Sequence, residues 1–303
     1  MTRPEEITPD VLEALAGWRA GRILDVRPAA AFARQHLRGA VSLPLEPCGA
    51  DPGHFAAAIP SIFLPPRHEP LLVVASVRDV ADGLAAHLRA RGRTGVDALV
   101  QPGPDIPLPA ALTASGPSRD RLWSPPEWLS RHADLLPPPA LGPALDLACG
   151  SGRAAVWLAA AGWRVTALDH QVEALDLGRR LAASASVAVD FAAADLRRPQ
   201  DVPPGPWALV VSIRFLERPL LARLGGLLMP GGVACLRTFR DPPGYRGHPQ
   251  PRHRLDRGEL MAAFAGADFE VLAHDEGFDA DGLPAAGIVA RRRGPAGRPG
   301  RTT

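Results

Sequence analysis

A glycine-containing turn between a short apolar segment and an alanine-rich helix constrains the fold of this chain more than any other feature. The sequence PALDLACGSGRAAVWLAAAGW covers residues 143–163 and predicts a strand, a tight turn and a helix that ends at a glycine. Gly150 and Gly152 lie where the strand becomes the helix, and residues without a side chain let a ligand approach the backbone there. We therefore predict a ligand site at this turn.

Strands and helices continue to alternate after the turn. The segments WRVTALDH, SVAVDFAAADL, WALVVSIRF and VACLRTF are typical of buried strands, and QVEALDLGRRLAA and ERPLLARLGGLL are typical of helices. Alternating strands and helices build a doubly wound parallel sheet with right-handed crossovers. The last two candidate strands, FEVLAHDE and AAGIVARR, are joined by a short connection, so we predict an antiparallel edge.

The glycine turn alone leaves two classes of ligand open. Residues 150–155 match the pattern G-x-G-x-x-A, which fits dinucleotide-dependent dehydrogenases as well as methyltransferases. Asp146 precedes the turn, and a carboxylate there favours a cationic ligand and would repel a pyrophosphate. Asp195 follows the third strand, where it can accept a hydrogen bond from an adenine amino group, and Pro230-Gly231-Gly232 tightens the turn into the fifth strand.

This series, with Asp169 at the end of the second strand, resembles the class I S-adenosylmethionine-dependent methyltransferases over roughly residues 120–292. The resemblance implies S-adenosylmethionine as the cofactor and a Rossmann-like fold. It implies that Asp146 and the loop Ala148–Gly152 hold the methionine end, and that Asp169 accepts two hydrogen bonds from the ribose hydroxyls. The full set of predicted cofactor-binding residues is Asp146, Ala148, Cys149, Gly150, Gly152, Asp169, His170, Asp195, Leu196 and Ser212.

Two of these residues need a remark. Many members of the family have glycine where this chain has Ala148, and a methyl group is small enough to be tolerated there. Cys149 lies in the turn and is interpreted as a packing residue rather than a nucleophile. We predict no catalytic residue, because S-adenosylmethionine already carries an activated leaving group.

Within the class, the chain is most similar to the tellurite-resistance-like methyltransferases, some of which carry an N-terminal rhodanese-like part. The similarity lies in LWSPPEWL, in SIRFLERPLL, and in LRTFR followed by PRHRLDRGEL. These relatives often have histidine where this chain has Glu217. Several arginines at the carboxyl ends of strands suit a small anionic or polarisable methyl acceptor, unless they pair with acidic residues at the surface. The predicted substrate residues are Trp123, Arg214, Phe215, Glu217 and Arg237.

The N-terminal part of the chain also alternates between strands and helices. GRILDVRP, RGAVSLPL, LLVVAS and VDALVQP are predicted strands, and PDVLEALAG, AAAFARQHL and DVADGLAAHLRARG are predicted helices. This order resembles the rhodanese-like domain over roughly residues 7–103, and a small α/β fold is implied. The residues that match its D-V-R and H-x-x-G-A motifs are Asp25, Arg27, His36, Gly39 and Ala40.

In active rhodaneses, the loop after the third strand begins with a nucleophilic cysteine. Ala75 stands at that position here, and an alanine cannot carry sulfane sulfur. Cys48 lies in a different loop. The resemblance thus implies the fold without the activity, and we predict a docking or stabilising module that binds a protein partner.

Proline-rich sequence separates the two parts. We predict a rhodanese-like domain at 1–103, a linker and cap at 104–143, a methyltransferase domain at 144–292 and a basic disordered tail at 293–303. All 34 basic residues are arginine, and because five of them lie in 291–303, the rest of the chain is slightly acidic. A nucleic-acid-binding protein would carry a basic face on the fold itself, so this class is disfavoured.

No run of about 18 apolar residues and no secretory leader is present, so we expect a cytoplasmic protein without a membrane span. Three scattered cysteines predict neither a disulfide framework nor a metal site. The leading hypothesis is a methyltransferase that acts on a small molecule. The alternatives are a sensor or scaffold that binds S-adenosylmethionine without turnover, and a sulfur-relay protein, which Ala75 opposes.

Overall fold

The computed structural model describes residue 18 and residues 22–45, 59–101, 109–118, 120–266, 268–279 and 281–294. The chain divides into two compact units, Met1–Ser124 and Pro125–Thr303. The first predicted helix, Cys48 and most of the predicted tail lie outside the described residues.

The first unit contains a parallel sheet of four strands. The sheet has the order β3-β1-β4-β5, and a separate short antiparallel pair joins β2 to β6. The elements in chain order are β1 (Ile23–Asp25), α1 (Ala29–Arg34), β2 (His36–Leu37), β3 (Ala40–Ser42), a 3₁₀ turn (Ser61–Phe63), β4 (Leu71–Ala75), α2 (Arg78–Ala90), β5 (Val96–Val100) and β6 (Thr113–Ala114).

The D-V-R motif of the first unit forms a buried ion pair. Asp25 is fully buried at the end of β1, and Arg27 is 2% exposed. The guanidinium of Arg27 donates from Nη2 to Asp25 Oδ2 at 2.6 Å and to the carbonyl of Gln35 at 2.8 Å. The pair therefore ties the end of β1 to the end of α1, which is a structural task.

The second unit contains a sheet of seven strands in the order β12-β13-β11-β10-β7-β8-β9. Strands β7 to β11 run parallel to one another, and β13 pairs antiparallel with β11 and β12. The predicted fold, a small α/β domain followed by a doubly wound sheet with an antiparallel edge, is confirmed.

The helices and strands of the second unit are, in chain order, α3 (Glu127–Arg131), β7 (Ala144–Leu147), α4 (Arg153–Ala160), β8 (Val165–Asp169), α5 (Val172–Ser184), β9 (Asp190–Ala193), β10 (Trp207–Ile213), α6 (Arg218–Leu227), β11 (Leu228–Phe239), α7 (Glu259–Ala263), β12 (Phe269–Phe278) and β13 (Pro284–Arg292). Short 3₁₀ turns lie at Ala133–Leu135, Pro139–Leu141, Pro199–Asp201 and Pro251–His253.

The region predicted as linker and cap, 104–143, is divided between the two units. Thr113–Ala114 pairs with β2 and so belongs to the first unit. Trp128 of α3 is buried in the second unit, where a Cβ on Gly287 of β13 would lie only 2.7 Å from its indole ring. The proline-rich composition did not reveal these contacts. A short strand pair fixes one part of the region to the first unit, and a single buried tryptophan fixes the other part to the second unit.

The order of the strands places a switch point in the second sheet. Strand β7 lies between β8 and β10, and the chain extends the sheet first through β8 and β9, then on the other side through β10 and β11. In sheets of this kind, ligands bind outside the carboxyl ends of the strands at this point. Within the described residues, no helix is long and apolar enough to cross a membrane.

Candidate functional site

A cavity of about 400 Å³ lies at the carboxyl ends of β7, β8 and β10. Its volume falls in the range of roughly 300–1,000 Å³ that is typical of small-molecule sites. We call it the switch-point cavity. The residues that line it are Ala148, Gly150, Asp169, His170, Gln171, Ala194, Asp195, Leu196, Arg197, Arg214, Phe215, Leu216, Glu217 and His253.

Asp169 is held at this cavity by backbone groups. Its Oδ2 accepts a hydrogen bond from the N–H of Gly150 at 2.8 Å, and its Oδ1 accepts one from the N–H of Gln171 at 2.9 Å. The Nδ1 of His170 lies 3.3 Å from Oδ1. Each carboxylate oxygen has two acceptor positions, so one on each oxygen is left for two hydroxyl groups of a ligand.

The glycine turn has two glycines with different tasks. Gly150 has φ 53° and a Cβ there would meet nothing within 4 Å, so the ligand can approach the backbone at this residue. Gly152 has φ 73°, but a Cβ there would lie 2.6 Å from the ring of Phe191. Gly152 was predicted to bind the cofactor. It does not line the cavity. A glycine is required at this position because the ring of Phe191 leaves no space for a side chain.

Ala148 also has a left-handed backbone, with φ 56°. For residues other than glycine, this conformation costs roughly 1–2 kcal/mol. The glycine that many relatives have at this position is therefore explained by backbone conformation, which the sequence interpretation did not consider. The alanine methyl group lines the switch-point cavity.

Asp146 and Cys149 lie against the turn without lining the cavity. Asp146 is 2% exposed, and its Oδ2 accepts from the N–H of Ala155 at 3.1 Å. Burial raises the pKa of Asp146 to about 7, although this hydrogen bond acts in the opposite direction. Burial, followed by the charges of Asp146 and Asp169, raises the pKa of the Cys149 thiol far above its usual value. The thiol therefore stays protonated, which agrees with its interpretation as a packing residue.

Asp195 lines the cavity with Leu196, but its carboxylate already has a partner. Its two oxygens accept from Arg197 Nε at 2.8 Å and Nη2 at 2.9 Å. This side-chain hydrogen bonding lowers the pKa of Asp195 to about 2. An adenine amino group would share the carboxylate with Arg197, a residue that the sequence interpretation missed although it lies only two positions away.

The residues predicted to bind the substrate are only partly brought together. Arg214, Phe215 and Glu217 line the switch-point cavity, whereas Arg237 does not. Trp123 is buried in the first unit, with the guanidinium of Arg121 5.3 Å from its ring centroid, and is not among the residues that line this cavity. Ser212, predicted to bind the cofactor, is absent from the cavity wall as well.

The arginines at the strand ends are paired with acidic residues. Arg237 is 6% exposed, and it donates to Asp279 at 2.6 Å and to Asp275 at 3.0 Å. Arg214, with φ 62°, lies 3.3 Å from the second oxygen of Asp279 and also bonds Asp281. Three carboxylates thus offset two guanidinium charges. The expectation that these arginines attract an anionic acceptor is not supported, because acidic residues pair with both of them.

The remaining cavity residues were not singled out by the sequence as site residues. They are Gln171, Ala194, Arg197, Leu216 and His253. His253 comes from the connection between β11 and α7. Arg218 of α6 fixes that connection by donating to the carbonyls of Arg252 and Arg254, each at 3.0 Å. No local motif indicates such a contact, because it joins residues 34 and 36 positions apart.

Comparisons with known protein families identify both parts of the chain. Residues 8–100 match the family model described as a rhodanese-like domain, and residues 144–232 match the one described as a methyltransferase domain. The chain contains a rhodanese-like domain followed by a methyltransferase domain. The predicted resemblance to both families is confirmed, and the match supports S-adenosylmethionine as the cofactor of the methyltransferase domain.

One relative extends over both domains. An uncharacterised protein of Schizosaccharomyces pombe is 28% identical over 331 residues, which cover 89% of this chain and 93% of the relative.

Solved structures similar to this chain include TehB from Haemophilus influenzae, at 18% identity and TM-score 0.46, covering 55% of this chain and 62% of that protein. An S-adenosylmethionine-dependent methyltransferase from Mesorhizobium loti has 20% identity and TM-score 0.43, and the match covers 54% of this chain and 96% of that protein.

Proposed function

We propose that the chain is an S-adenosylmethionine-dependent methyltransferase that acts on a small molecule, with a rhodanese-like domain that has no sulfurtransferase activity. The observation that carries the proposal is the hydrogen bond from the N–H of Gly150 to the carboxylate of Asp169 at the switch-point cavity. A fixed carboxylate beside an open glycine backbone suits a ligand with two neighbouring hydroxyls, as in a ribose.

The described residues fit the cofactor at both of its ends. Asp169 would accept from the ribose hydroxyls, and Leu196 with His170 would contact the adenine. The open side of Gly150 leaves room for the methionine end against the turn. When bound, S-adenosylmethionine supplies an activated methyl group on a sulfonium sulfur.

The chain's own contribution is binding, orientation and exclusion of water. A methyl transfer from a sulfonium needs alignment of the two reacting atoms more than it needs a protein nucleophile. Cys149 is protonated, and we assign no covalent role to it. Phe215 and Leu216 offer apolar surface beside the cavity, which suits a reaction between partly desolvated groups.

The alternative is a sensor or scaffold that binds S-adenosylmethionine without turnover. Titration calorimetry with S-adenosylhomocysteine tests the binding site, and detection of S-adenosylhomocysteine formed from S-adenosylmethionine with a pool of small metabolites tests turnover. Binding with turnover supports the enzyme, and binding without turnover supports the sensor. The absence of binding overturns both.

For the rhodanese-like domain, we propose a docking role on the ground that Ala75 replaces the sulfur-carrying cysteine. Ala75 is 1% exposed in β4, so its side chain belongs to the core of the first unit. Four further points stay predictions. They are the division of the chain at 103 and 143, the protein partner of the rhodanese-like domain, the cytoplasmic location and the absence of nucleic-acid binding.

A further inference from the structure

Residues 194–197 form the wall of the switch-point cavity beyond Asp169. They follow β9, which pairs with β8, and the N–H of Ala194 donates to the carbonyl of Asp169 at 2.9 Å. We call these four residues the far wall. The glycine turn lies on the other side of Asp169, at β7. A nucleoside whose ribose hydroxyls are held by Asp169, with its other end at the turn, would therefore present its base to the far wall.

The carboxylate of the far wall is already engaged. Asp195 Oδ1 accepts from Arg197 Nε at 2.8 Å and from the backbone N–H of Arg197 at 3.2 Å, and Oδ2 accepts from Arg197 Nη2 at 2.9 Å. A carboxylate has about four acceptor positions, so one is left, on Oδ2. The Nε of Arg198 lies 3.6 Å from that oxygen. A base that donates an N–H to Asp195 would have to compete with two guanidinium groups.

Arg197, in contrast, has hydrogen-bond donors that are not used. A guanidinium has five N–H groups. Two of those of Arg197 bond Asp195, and the other three bond no acceptor among the residues that the structure describes. The two parallel hydrogen bonds fix the plane of the guanidinium against the carboxylate. The side chain is 74% exposed, and Arg197 lines the cavity. The far wall therefore offers a base fixed donors rather than a free acceptor.

We propose that Arg197, rather than Asp195, contacts the edge of the base, and that the site accepts a 6-oxopurine as well as adenine. The inference rests on the proposed function. Adenine carries an amino group, a donor, at its sixth position, whereas a 6-oxopurine carries an oxygen there, and both have the acceptor N7. Arginine pairs well with the O6 and N7 of such a purine, whereas a free carboxylate would repel O6. The ligands of this cavity therefore include inosyl counterparts of the S-adenosyl compounds.

The affinities of S-adenosylhomocysteine and S-inosylhomocysteine test the proposal. The two ligands differ only at the edge of the base, and titration calorimetry measures both without turnover. We expect the wild type to bind the inosyl ligand more tightly than the adenosyl ligand or less than tenfold more weakly. A loss of tenfold or more would show that a carboxylate, Asp195 or Glu217, accepts from the amino group, and it overturns the proposal. Failure of both ligands to bind overturns the proposed function, whereas selective loss of the inosyl ligand overturns only this inference.

Two neighbouring arginines provide a matched pair of variants. Arg197→Ala frees the carboxylate of Asp195, so the preference for the adenosyl over the inosyl ligand should rise at least fivefold. Arg198→Ala is the control, because Arg198 is similarly exposed, at 66%, but does not line the cavity, and the preference should stay unchanged. Both side chains are exposed, so both variants should melt near the wild-type temperature. A rise below fivefold in Arg197→Ala, or an equal rise in Arg198→Ala, overturns the proposal.

Discussion

Phe191 of β9 occupies the space into which a side chain on Gly152 would project, because its Cε1 lies 2.6 Å from the position of a Cβ there. The same ring lies 2.7 Å from a Cβ position on Gly178 of α5. Phe191 thus packs where α4 and α5 both expose backbone. The glycine turn at the cofactor site is therefore shaped partly by the core behind it.

Substitution by alanine should affect stability and ligand binding differently at the two glycines of the turn. We expect Gly152→Ala to lower the free energy of unfolding by about 2–4 kcal/mol, because overpacking against Phe191 adds to an unfavourable φ. Gly150→Ala should cost about 1–2 kcal/mol of stability, since only φ is unfavourable there. Its methyl group would instead narrow the switch-point cavity and weaken the binding of S-adenosylhomocysteine. Urea unfolding and calorimetry on both variants measure the two effects, and a larger loss of stability in Gly150→Ala would contradict this division.

Asp169 should matter for affinity because its carboxylate has free acceptor positions. We expect Asp169→Ala to weaken the binding of S-adenosylhomocysteine roughly 10- to 150-fold, which corresponds to about 1.5–3 kcal/mol for charge-assisted hydrogen bonds. The variant should also be less stable, since the N–H of Gly150 loses its acceptor. Asp176→Ala, an exposed residue of α5 that pairs with Arg179, is the control and should leave affinity unchanged. A folded Asp169→Ala protein with the wild-type dissociation constant would remove Asp169 from the site.

The rhodanese-like domain should remain inactive even when a cysteine is restored. Ala75 is buried inside β4, so Ala75→Cys would place a thiol in an apolar core where its pKa is raised and sulfur donors cannot reach it. We expect no thiocyanate from thiosulfate and cyanide with either the wild type or this variant. Ser76→Cys, one position later and half-buried, is the control for accessibility and should add a thiol that reacts with a disulfide reagent. Thiocyanate formation by the wild type would contradict the inactive assignment.

Local patterns were sufficient for the fold, and they singled out nine of the fourteen residues that line the switch-point cavity. Alternating apolar segments predicted the strands of both sheets, and the residues from Asp146 to Gly152 located the turn between β7 and α4. What the patterns missed depends on contacts between distant residues. Gly152 was assigned to the ligand because Phe191, 39 positions later, was not known to fill its space. Arg237 was assigned to the substrate because no local pattern pairs it with Asp275 and Asp279. These partners lie on β12 and in the loop that follows it.

Asp279 should be more important for stability than for chemistry. It bonds the buried guanidinium of Arg237 at 2.6 Å and is itself 12% exposed. Asp279→Ala leaves that charge with Asp275, the carbonyl of Phe278 and the ring of Trp128. We expect a loss of about 2–4 kcal/mol in the free energy of unfolding, somewhat less than for a fully isolated buried charge. Asp281→Ala removes a carboxylate that is 60% exposed and should cost less than about 1 kcal/mol. Similar losses in the two variants, measured by urea unfolding, would contradict this ranking.

Asp146 should make the stability of the methyltransferase domain fall as the pH rises. Burial raises its pKa to about 7 in the folded protein, whereas an unfolded aspartate titrates near 3.9. Between these values the folded state holds a proton that the unfolded state has released, so the free energy of unfolding decreases with pH and levels off above about 7. The slope from this group is at most about 1.4 kcal/mol per pH unit.

Asp146→Asn keeps an oxygen that can accept from the N–H of Ala155 but cannot ionise. We therefore expect the variant to be similar to the wild type near pH 4.5 and clearly more stable at pH 8, with the difference growing through the interval between. Urea unfolding at half-unit pH steps measures this difference directly, because all other titrating groups are common to both proteins. Parallel stability curves for the two proteins would show that Asp146 is ionised in the folded state throughout this range. If the wild type instead gained stability over the variant as the pH rises, a cationic partner would be lowering the pKa of Asp146.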